Sequence, residues 1–385
     1  MASQLNSESL KGSIEKCFGE IPDSRIQKKT AHKLIDIIAI SILAIICGAD
    51  SWSAIETYGR AKQNWLSTFL ELENGIPSHD TFARVISRLD PEILEQSFQR
   101  WIGQMTGKLG LEVVAIDGKT LKGSYDRENA LKSLQMVSAW SSSHRLVLGQ
   151  VAVDKKSNEI RAIPILLEQL DVSGAIITID AMGTQTAIAK NIQAAEADYI
   201  LTLKSNHPTL AKEGQDWFQK HRAQPDIENV KVTTITCEAG HHRIEKRQFW
   251  QVPVELVFSQ ERIEQWQGLK TLVIEESKRI LWNQETNCTR LFLSSLNSQC
   301  DCFPTAIRGH WGIENQLHWC LDVVFNEDSS RIRQDNGARN LSILRRLALN
   351  LLRQDPSKGS LKMKRYKAGL DDGFLLQILA HSSLF

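Results

Sequence analysis

The stretch LEVVAID at residues 111–117 is an apolar run that ends in an acid, Asp117, and a second run of this kind, AIITID at 175–180, ends in Asp180. Short apolar runs rich in β-branched residues are typical of buried strands. Between them, LQMVSAWSSSHRLVLGQVAV at 134–153 predicts a β-hairpin with SSSH as its turn. The chain therefore contains a group of three strands followed by a fourth.

Helical segments separate the later strands. Residues 159–167 and 184–195 have helical patterns, and DYILTLK at 198–204 is a further strand. Consecutive strands can pair as an antiparallel meander, whereas strands joined through helices favour parallel pairing by right-handed crossovers. The order predicts an α/β fold with an RNase H-like mixed sheet, in which a meander of three strands is followed by two parallel strands and flanked by helices.

In such a sheet the first and fourth strands are adjacent and parallel, so that Asp117 and Asp180 converge at one edge. Each acid taken singly is more often a turn former than a ligand. The pair is more informative, because two neighbouring carboxylates repel each other unless a cation lies between them. Hard divalent cations such as Mg²⁺ prefer oxygen ligands. We therefore predict a metal-binding pair of acids at this edge.

A third acid is expected from a helix packed over the same edge, and Glu314 in HWGIENQLHWCLD at 310–322 is the candidate. An acid among so many bulky apolar neighbours needs a partner. His310 and His318 lie four residues before and after Glu314 and therefore share its helix face. Two interpretations of the histidines stay open: buried structural partners, or ligands with Glu314 in a zinc metallohydrolase.

The overall composition is that of an ordinary globular protein. Its 385 residues include 46 Lys and Arg against 45 Asp and Glu, a formal net charge of +1. These values exclude wholesale disorder and argue against a uniformly basic coat for nucleic acid. The seven cysteines form no C-x-x-C pair, which indicates reduced thiols rather than a zinc or redox motif.

The most apolar stretch, LIDIIAISILAIIC at 34–47, is too short for a membrane span, which needs about 20 residues. It also contains an acid, Asp36. The sequence starts with a polar segment of mixed charge that does not resemble a signal peptide. We therefore expect a buried core helix at 34–47 and a cytoplasmic protein with no membrane partner.

Five motifs carry a family resemblance over nearly the whole chain. They are PDSRIQKKTAHKLIDIIAISILAIICGAD at 22–50, VVAIDGKTLKGS at 113–124, ITIDAMGTQ at 177–185, LTLKSNHP at 201–208 and HWGIENQLHWCLDVVFNED at 310–328. Together they resemble the DDE transposases of insertion sequences, in particular the ISAs-type or H-repeat-associated branch. The motifs are long and occur in the order of that family.

The resemblance implies an enzyme that cuts DNA at the ends of an insertion sequence and transfers the freed strand into target DNA. By motif, Asp117, Asp180 and Glu314 are its catalytic and metal-binding residues. The implied cofactor is a pair of Mg²⁺ ions, for which Mn²⁺ can substitute. The implied substrates are double-stranded terminal inverted repeats and target DNA, bound by a homodimer.

The chain departs from the wider insertion-sequence pattern around the catalytic Glu. Those relatives resemble Tyr-x2-Arg-x3-Glu-x6-Lys, whereas this chain has Ile307, His310 and Leu321 at the Tyr, Arg and Lys positions. This leaves the usual contacts with DNA phosphate around Glu314 open. It also keeps an alternative function open, a catalytically decayed or domesticated transposase that acts as a DNA-binding protein.

On this interpretation the chain divides into five segments. They are a helical N-terminal DNA-binding or associated domain at 1–106, the first part of the catalytic core at 107–204, a β-rich insertion at 205–300, the completion of the core with the Glu314 helix at 301–356, and a basic C-terminal tail at 357–385.

Binding to DNA requires a cationic surface. Between residues 331 and 367 the chain has eleven basic residues against two acids, which predicts such a surface just after Glu314. Thr81, Arg84 and Arg88 share one helix face and could form a recognition helix, although an ordinary solvated face remains open. The candidate DNA-binding residues are Arg84, Arg88, Lys119, Lys122, Lys204, Arg243, Arg247, His310, His318, Arg331 and Arg333.

Overall fold

The computed structural model describes residues 7–26, 30–106, 110–125, 132–153, 158–224, 226–239, 243–282 and 284–380. Its first part is helical. Six helices precede the first strand within the described residues: α1 Ser7–Phe18, α2 Leu34–Ile46, α3 Trp52–Ala61, α4 Gln63–Leu66, α5 His79–Arg88 and α6 Pro91–Thr106.

Local sequence signals explain where these helices start and stop. The Ser78 side chain accepts a hydrogen bond from the backbone N–H of Thr81 and so caps α5, as its position before an apolar pattern predicts. Asp90 separates α5 from α6, whose first residue is Pro91, a position where the missing N–H of proline has no cost. Helix α2 is buried at twelve of its thirteen residues, so the prediction of a core helix is confirmed.

The centre of the molecule is a large mixed sheet. Its first strands are β1 Val113–Leu121, β2 Leu134–Ser141, β3 Leu146–Ala152, β4 Ile176–Ile179 and β5 Asp198–Leu203. β2 pairs antiparallel with both β1 and β3, whereas β4 pairs parallel with both β1 and β5. The structure thus contains the predicted three-strand meander and two parallel strands. Helices α7 Glu159–Glu168 and α8 Thr186–Ala194 make the crossovers.

The β-rich insertion continues this same sheet. It consists of α9 Pro208–His221, β6 Lys231–Ala239, β7 Arg243–Pro253, α10 Gln260–Glu264, β8 Thr271–Leu281 and β9 Gln284–Ser294. β9 lies antiparallel to β5, with Leu201 opposite Leu293. Within the described residues, nine strands therefore follow the order β3-β2-β1-β4-β5-β9-β8-β7-β6.

The last part of the chain is helical again. It contains α11 Phe303–Gly312, a π-helical turn at Ile313–His318, α12 Trp319–Val323, α13 Gly337–Gln354, α14 Leu361–Leu370 and α15 Asp372–Ala380. Helix α13 packs against α2, α5 and α6 and also against β3. It therefore joins the N-terminal helices to the sheet.

The basic surplus at 331–367 does not form one surface, contrary to the prediction. Arg346 is fully buried and pairs with the equally buried Glu327 at 3.0 Å. Arg365 pairs with Asp50 at 2.9 Å and donates to the carbonyl of Ile45. Buried cations need partners, and these contacts hold helices together. Arg345 and Lys364 are also buried, which leaves only part of the segment exposed.

One pair of cysteines differs from the sequence prediction. The structure joins Cys300 and Cys302 in a disulfide, with Cα atoms 5.4 Å apart, a separation that a disulfide can bridge. The expectation of reduced thiols is corrected for this pair. None of the helices that the structure describes is long and apolar enough to cross a bilayer.

Candidate active site

The two strand acids occupy equivalent positions in neighbouring parallel strands. The last parallel pair between β1 and β4 is Ile116 opposite Ile179, so Asp117 and Asp180 are each the next residue. β4 ends there, as expected. The expectation that β1 also ends at its acid was wrong, because residues 118–121 continue to pair with β2.

Asp180 serves both as a turn former and as part of a cleft. Its Oδ1 accepts hydrogen bonds from the backbone N–H groups of Met182 at 3.0 Å and Gly183 at 3.3 Å, which shapes the turn after β4. The same residue lines a cavity of about 180 Å³ together with Glu314. The strand acid and the helix acid therefore face one space.

Glu314 lies in the π-helical turn that interrupts the helical segment from α11 to α12. π-turns are wide insertions in α-helices and are frequent at functional sites. The side chain of Glu314 is exposed, whereas Ile313 and Leu317 on the other side of the turn are fully buried. The buried pair fixes the turn on the molecule and directs Glu314 outward to the cavity.

The acids influence one another electrostatically. Burial raises the pKa of Asp117 to about 7, the backbone N–H of Gly118 opposes this, and the negative charges of Asp180, Glu314 and Glu159 raise it further. The strand register places Asp117 beside Asp180, and Asp180 shares a cavity with Glu314, so acids from β1, the end of β4 and the π-turn lie in one region. Such a group favours a bound cation.

Glu159 is a fourth acid at this site, and sequence reasoning missed it. It is the first residue of α7, and its carboxylate lies against Gly118, where a Cβ atom would come within 2.3 Å of it. Burial and the charge of Asp180 raise its pKa. No sequence signal distinguishes it from an ordinary acid in a first helical turn.

The two histidines turn toward the sheet. His310 Nδ1 lies 3.0 Å from Thr178 Oγ1, and His318 Nδ1 lies 3.5 Å from Asp117 Oδ2. Burial lowers the pKa of both, to about 3 for His318, so both rings are neutral. His310 lines the cavity with Glu314, whereas His318 lies beside Asp117. The two histidines thus contact different strands, and the described residues contain no group of three ligands with them, which supports the structural interpretation over a zinc site.

The donor set fits a divalent cation in its chemistry. Asp117, Asp180 and Glu314 offer carboxylate oxygens, the ligands that Mg²⁺ prefers, and the charges of the other two acids add to the burial that raises the pKa of Asp117. In the part of the chain that the structure describes, no three His, Cys, Asp or Glu side chains are close enough together to hold a metal. The acids are thus grouped but not closed into a ligand cage.

Comparison with known families decides the identity. The model of the transposase DDE domain matches residues 108–351, and that of the DDE_Tnp_1-associated domain matches residues 15–102. The chain belongs to the DDE transposase family. The first match includes all three acids and the β-rich insertion, and the second covers α2 to α5.

Relatives of this transposase are known from Escherichia coli. The chain is 40% identical over 373 residues to the "H repeat-associated putative transposase YhhI" of strain K12, covering 94% of this chain and 97% of that protein. It is equally identical over 368 residues to the "Putative transposase YncI" of strain O157:H7, covering 94% and 93%. A shorter match of 67 residues, 46% identical, is to the "Inactive transposase YbfQ" of K12 and covers 17% of this chain.

The structure corrects the expected role of Lys119. Its side chain is buried in the transposase, and its ammonium pairs with Asp322 at 2.6 Å and Asp328 at 3.1 Å. It is therefore not available to a DNA phosphate. Lys122 also pairs with Asp328, at 2.8 Å, but is 77% exposed. Lys204 is exposed and lines the cavity with Asp180 and Glu314.

Arg247 and Arg333 are also engaged within the transposase. Arg247 is largely buried and pairs with Glu245 at 3.1 Å and Glu275 at 3.3 Å, so it is corrected from a DNA contact to a structural cation. Arg333 Nε donates to the carbonyl of Gly123 at 3.2 Å. The side chain of Arg243 lies outside the described residues.

The remaining candidate DNA-binding residues are exposed. Arg331 lies on the surface after α12. Arg84 and Arg88 lie on α5 and line a groove of about 650 Å³, whose other wall includes Arg25 and His32. The groove also contains Asp23, which pairs with Arg25 at 2.6 Å, and Asp90, so it is a groove of mixed charge in which Arg84 and Arg88 are exposed.

Proposed function

We propose that this protein cuts DNA at the ends of its insertion sequence and joins the freed 3′ end to target DNA. The observation that carries this proposal is the placement of the acids: Asp117 and Asp180 directly follow the paired residues Ile116 and Ile179 of neighbouring strands, and Glu314 lines one cavity with Asp180. We infer an RNase H-like core, because the first five strands have that topology.

We propose that the three acids hold two Mg²⁺ ions, with Mn²⁺ able to substitute. Two such ions can activate an attacking oxygen and stabilise the leaving oxygen of a phosphodiester. The chain itself positions the acids: neutral His318 lies beside Asp117, and the Asp180 carboxylate is anchored by two backbone N–H groups. Glu159 adds negative charge beside Asp117.

The partner in this proposal is double-stranded DNA, both terminal repeat and target. We assign Arg84 and Arg88 to DNA contacts of the 1–106 segment, since both are exposed in one groove, and Lys204 to the phosphate at the cleft. Two ends must be joined in one complex, which favours a homodimer on DNA.

The test is cleavage of a labelled duplex in the presence of Mg²⁺ or Mn²⁺. The duplex carries the terminal repeat, whose sequence is taken from the DNA that flanks the gene. Asp117→Asn, Asp180→Asn and Glu314→Gln should each lower the rate by about 100-fold or more, because each removes a charged metal ligand. Glu168→Gln, an exposed acid of α7, is the matched control and should cut normally. Metal-dependent cutting by Asp117→Asn would refute the assignment.

The decayed-transposase alternative has its own observations in favour. The acids are not closed into a ligand cage, and one relative is named inactive. This function predicts that the native protein binds the terminal duplex without cutting it in either metal. Metal-dependent cutting by the native protein excludes it.

A further inference from the structure

The cavity beside Asp180 and Glu314 has a cationic wall, to which the β-rich insertion adds an arginine that lies outside the five motifs. Arg290 of β9 and Lys204, just after β5, line it together with Trp311. We propose that Arg290 binds the phosphate of the DNA strand at the site of cutting. The proposal rests on the function proposed above and assigns this contact to the insertion rather than to the Glu314 helix.

Arg290 is held in place from two sides. On the neighbouring strand β8, Glu275 lies directly opposite it, and the two side chains approach to 3.5 Å between Nη1 and Oε2. The guanidinium also stacks over the ring of Trp311, with 4.9 Å from Cζ to the ring centre. An arginine fixed by an acid and an aromatic ring loses little freedom on binding a ligand.

The ion pair with Glu275 does not use all the N–H donors of Arg290. Glu275 is buried and is shared with Arg247, which lies nearer at 3.3 Å. The side chain of Arg290 keeps 31% of its surface exposed, and none of its N–H groups hydrogen-bonds to a residue within the described ranges at normal distance. Donors therefore remain for a ligand in the cavity.

The chemistry of the cleft calls for such a group. Carboxylates from β1, β4 and the π-turn repel a phosphodiester, so a fixed cation on the facing wall is needed to offset them. The wider family pattern has an arginine four residues before the catalytic Glu, but here that residue is His310, bonded to Thr178 and neutral. A planar guanidinium from β9 can bind two phosphate oxygens at once.

The experiment measures how binding of the terminal duplex depends on salt, with Ca²⁺ in place of Mg²⁺ so that the DNA is not cut. Each lost phosphate contact reduces the slope of log K against log salt by about 0.9. Arg290→Met should show this reduction, and Arg290→Lys should keep most of the slope. Arg279→Met, at an exposed position of β8, is the matched control and should leave it unchanged.

Loss of Arg290 leaves Glu275 with one partner fewer, so a folding defect must be separated from a lost contact. The Glu275→Gln/Arg290→Met double variant removes both charges and should show the same reduced slope. An unchanged slope in the folded double variant overturns the proposal. That outcome is distinct from failure of the proposed function, which is judged by cutting with the native protein and the Asp117, Asp180 and Glu314 variants.

Discussion

Single buried acids show how strongly position controls charge in this chain. Glu95 of α6 is almost fully buried, and its Oε1 accepts a hydrogen bond from the backbone N–H of Gln150 at 3.0 Å. Its Oε2 has no hydrogen-bond partner in the described structure. Burial raises its pKa to about 7, although the contact with Gln150 opposes the shift. This carboxyl is a source of pH-dependent stability on a different element from Asp117, Asp180 and Glu314.

The folded protein holds the Glu95 proton more tightly than the unfolded chain does, because the pKa of this carboxyl is near 4.5 in the unfolded chain. This contribution to stability therefore falls as the pH rises from about 4.5 to 7, and it stays low above pH 7. Glu95→Gln keeps the acceptor and removes the charge. It should stabilise the protein at pH 8 by on the order of 3 kcal/mol, with no difference at pH 4.

Urea unfolding at pH 4, 6 and 8 measures this effect. Glu261→Gln, an exposed acid of α10, is the control and should follow the native protein at every pH. If Glu95→Gln were no more stable than the native protein at pH 8, the buried carboxyl would have to be neutralised by a partner that the structure does not contain.

At the scale of elements, two distant motifs form one unit around the Glu314 helix. Lys119 of the DGKTLKGS motif pairs with Asp322 and Asp328 of the LDVVFNED motif. Gly123 packs against the same segment so closely that a Cβ atom would lie 2.1 Å from the carbonyl oxygen of Ser330. These contacts attach the helix that bears Glu314 to the strand that bears Asp117.

Replacing Lys119 should therefore disturb both stability and metal binding. Lys119→Met leaves Asp322 and Asp328 without their buried cation, which should cost on the order of 2 kcal/mol because both acids are only partly buried. In urea unfolding, Lys119→Arg should recover most of this loss. Because Glu314 is then less well positioned, half-maximal cutting should need more Mg²⁺.

Lys122 provides the matched comparison, because it pairs with the same Asp328 from an exposed position. Exposed pairs contribute about 0–1 kcal/mol, so Lys122→Met should change stability little. Equal losses for Lys119→Met and Lys122→Met would show that burial of the pair has no role.

The π-turn makes a separate prediction. A π-turn is an α-helix with one extra residue, so deletion of the exposed Asn315 should restore a regular helix and rotate Glu314 relative to its flanking residues. We expect the variant to fold, with native circular dichroism, and to lose DNA cutting. Asn315→Ala should keep both. Retained cutting by the deletion variant would contradict the role of the turn.

Elements with a clear hydrophobic pattern could be predicted from the sequence, and features set by tertiary contacts could not. The strands that carry Asp117 and Asp180 were predicted within a few residues because buried strands are apolar runs. The π-turn was not, since His310, Glu314 and His318 have ordinary α-helical spacing. The sequence predicts a surface position for Lys119, because the acids that pair with it lie about 200 residues away along the chain.

At the scale of the whole molecule, the N-terminal helices and the part of the chain that contains the sheet share a core. Helix α13 is buried along most of its length between α2 and β3. Arg365 on α14 reaches Asp50 near the end of α2, and Asn326 donates to the same acid at 2.8 Å. The charge surplus seen in the sequence is thus partly used to attach these parts to each other.

This shared core predicts one cooperative unfolding transition rather than two. Arg365→Met, which removes the cation that Asp50 and the buried carbonyl of Ile45 share, should lower the melting temperature of both parts together, by on the order of 5 °C. Hydrogen exchange measured by mass spectrometry reports α2 and β1 separately. Lys362→Met, at an exposed position of the same helix, should leave the melting temperatures of α2 and β1 unchanged. Melting of α2 at a lower temperature than β1 would contradict the prediction.

The continuous sheet also sets a distance. Four strand-to-strand steps separate β5 from β6, and at about 4.8 Å per step the outer strand of the insertion lies about 19 Å from β5, which lies next to the Asp180 strand. With a rise of about 3.4 Å per base pair, this span equals the length of roughly six base pairs of duplex. Because hydrogen-bonded strands cannot slide apart, the outer edge of the insertion stays at a fixed distance from the strand that leads to Asp180.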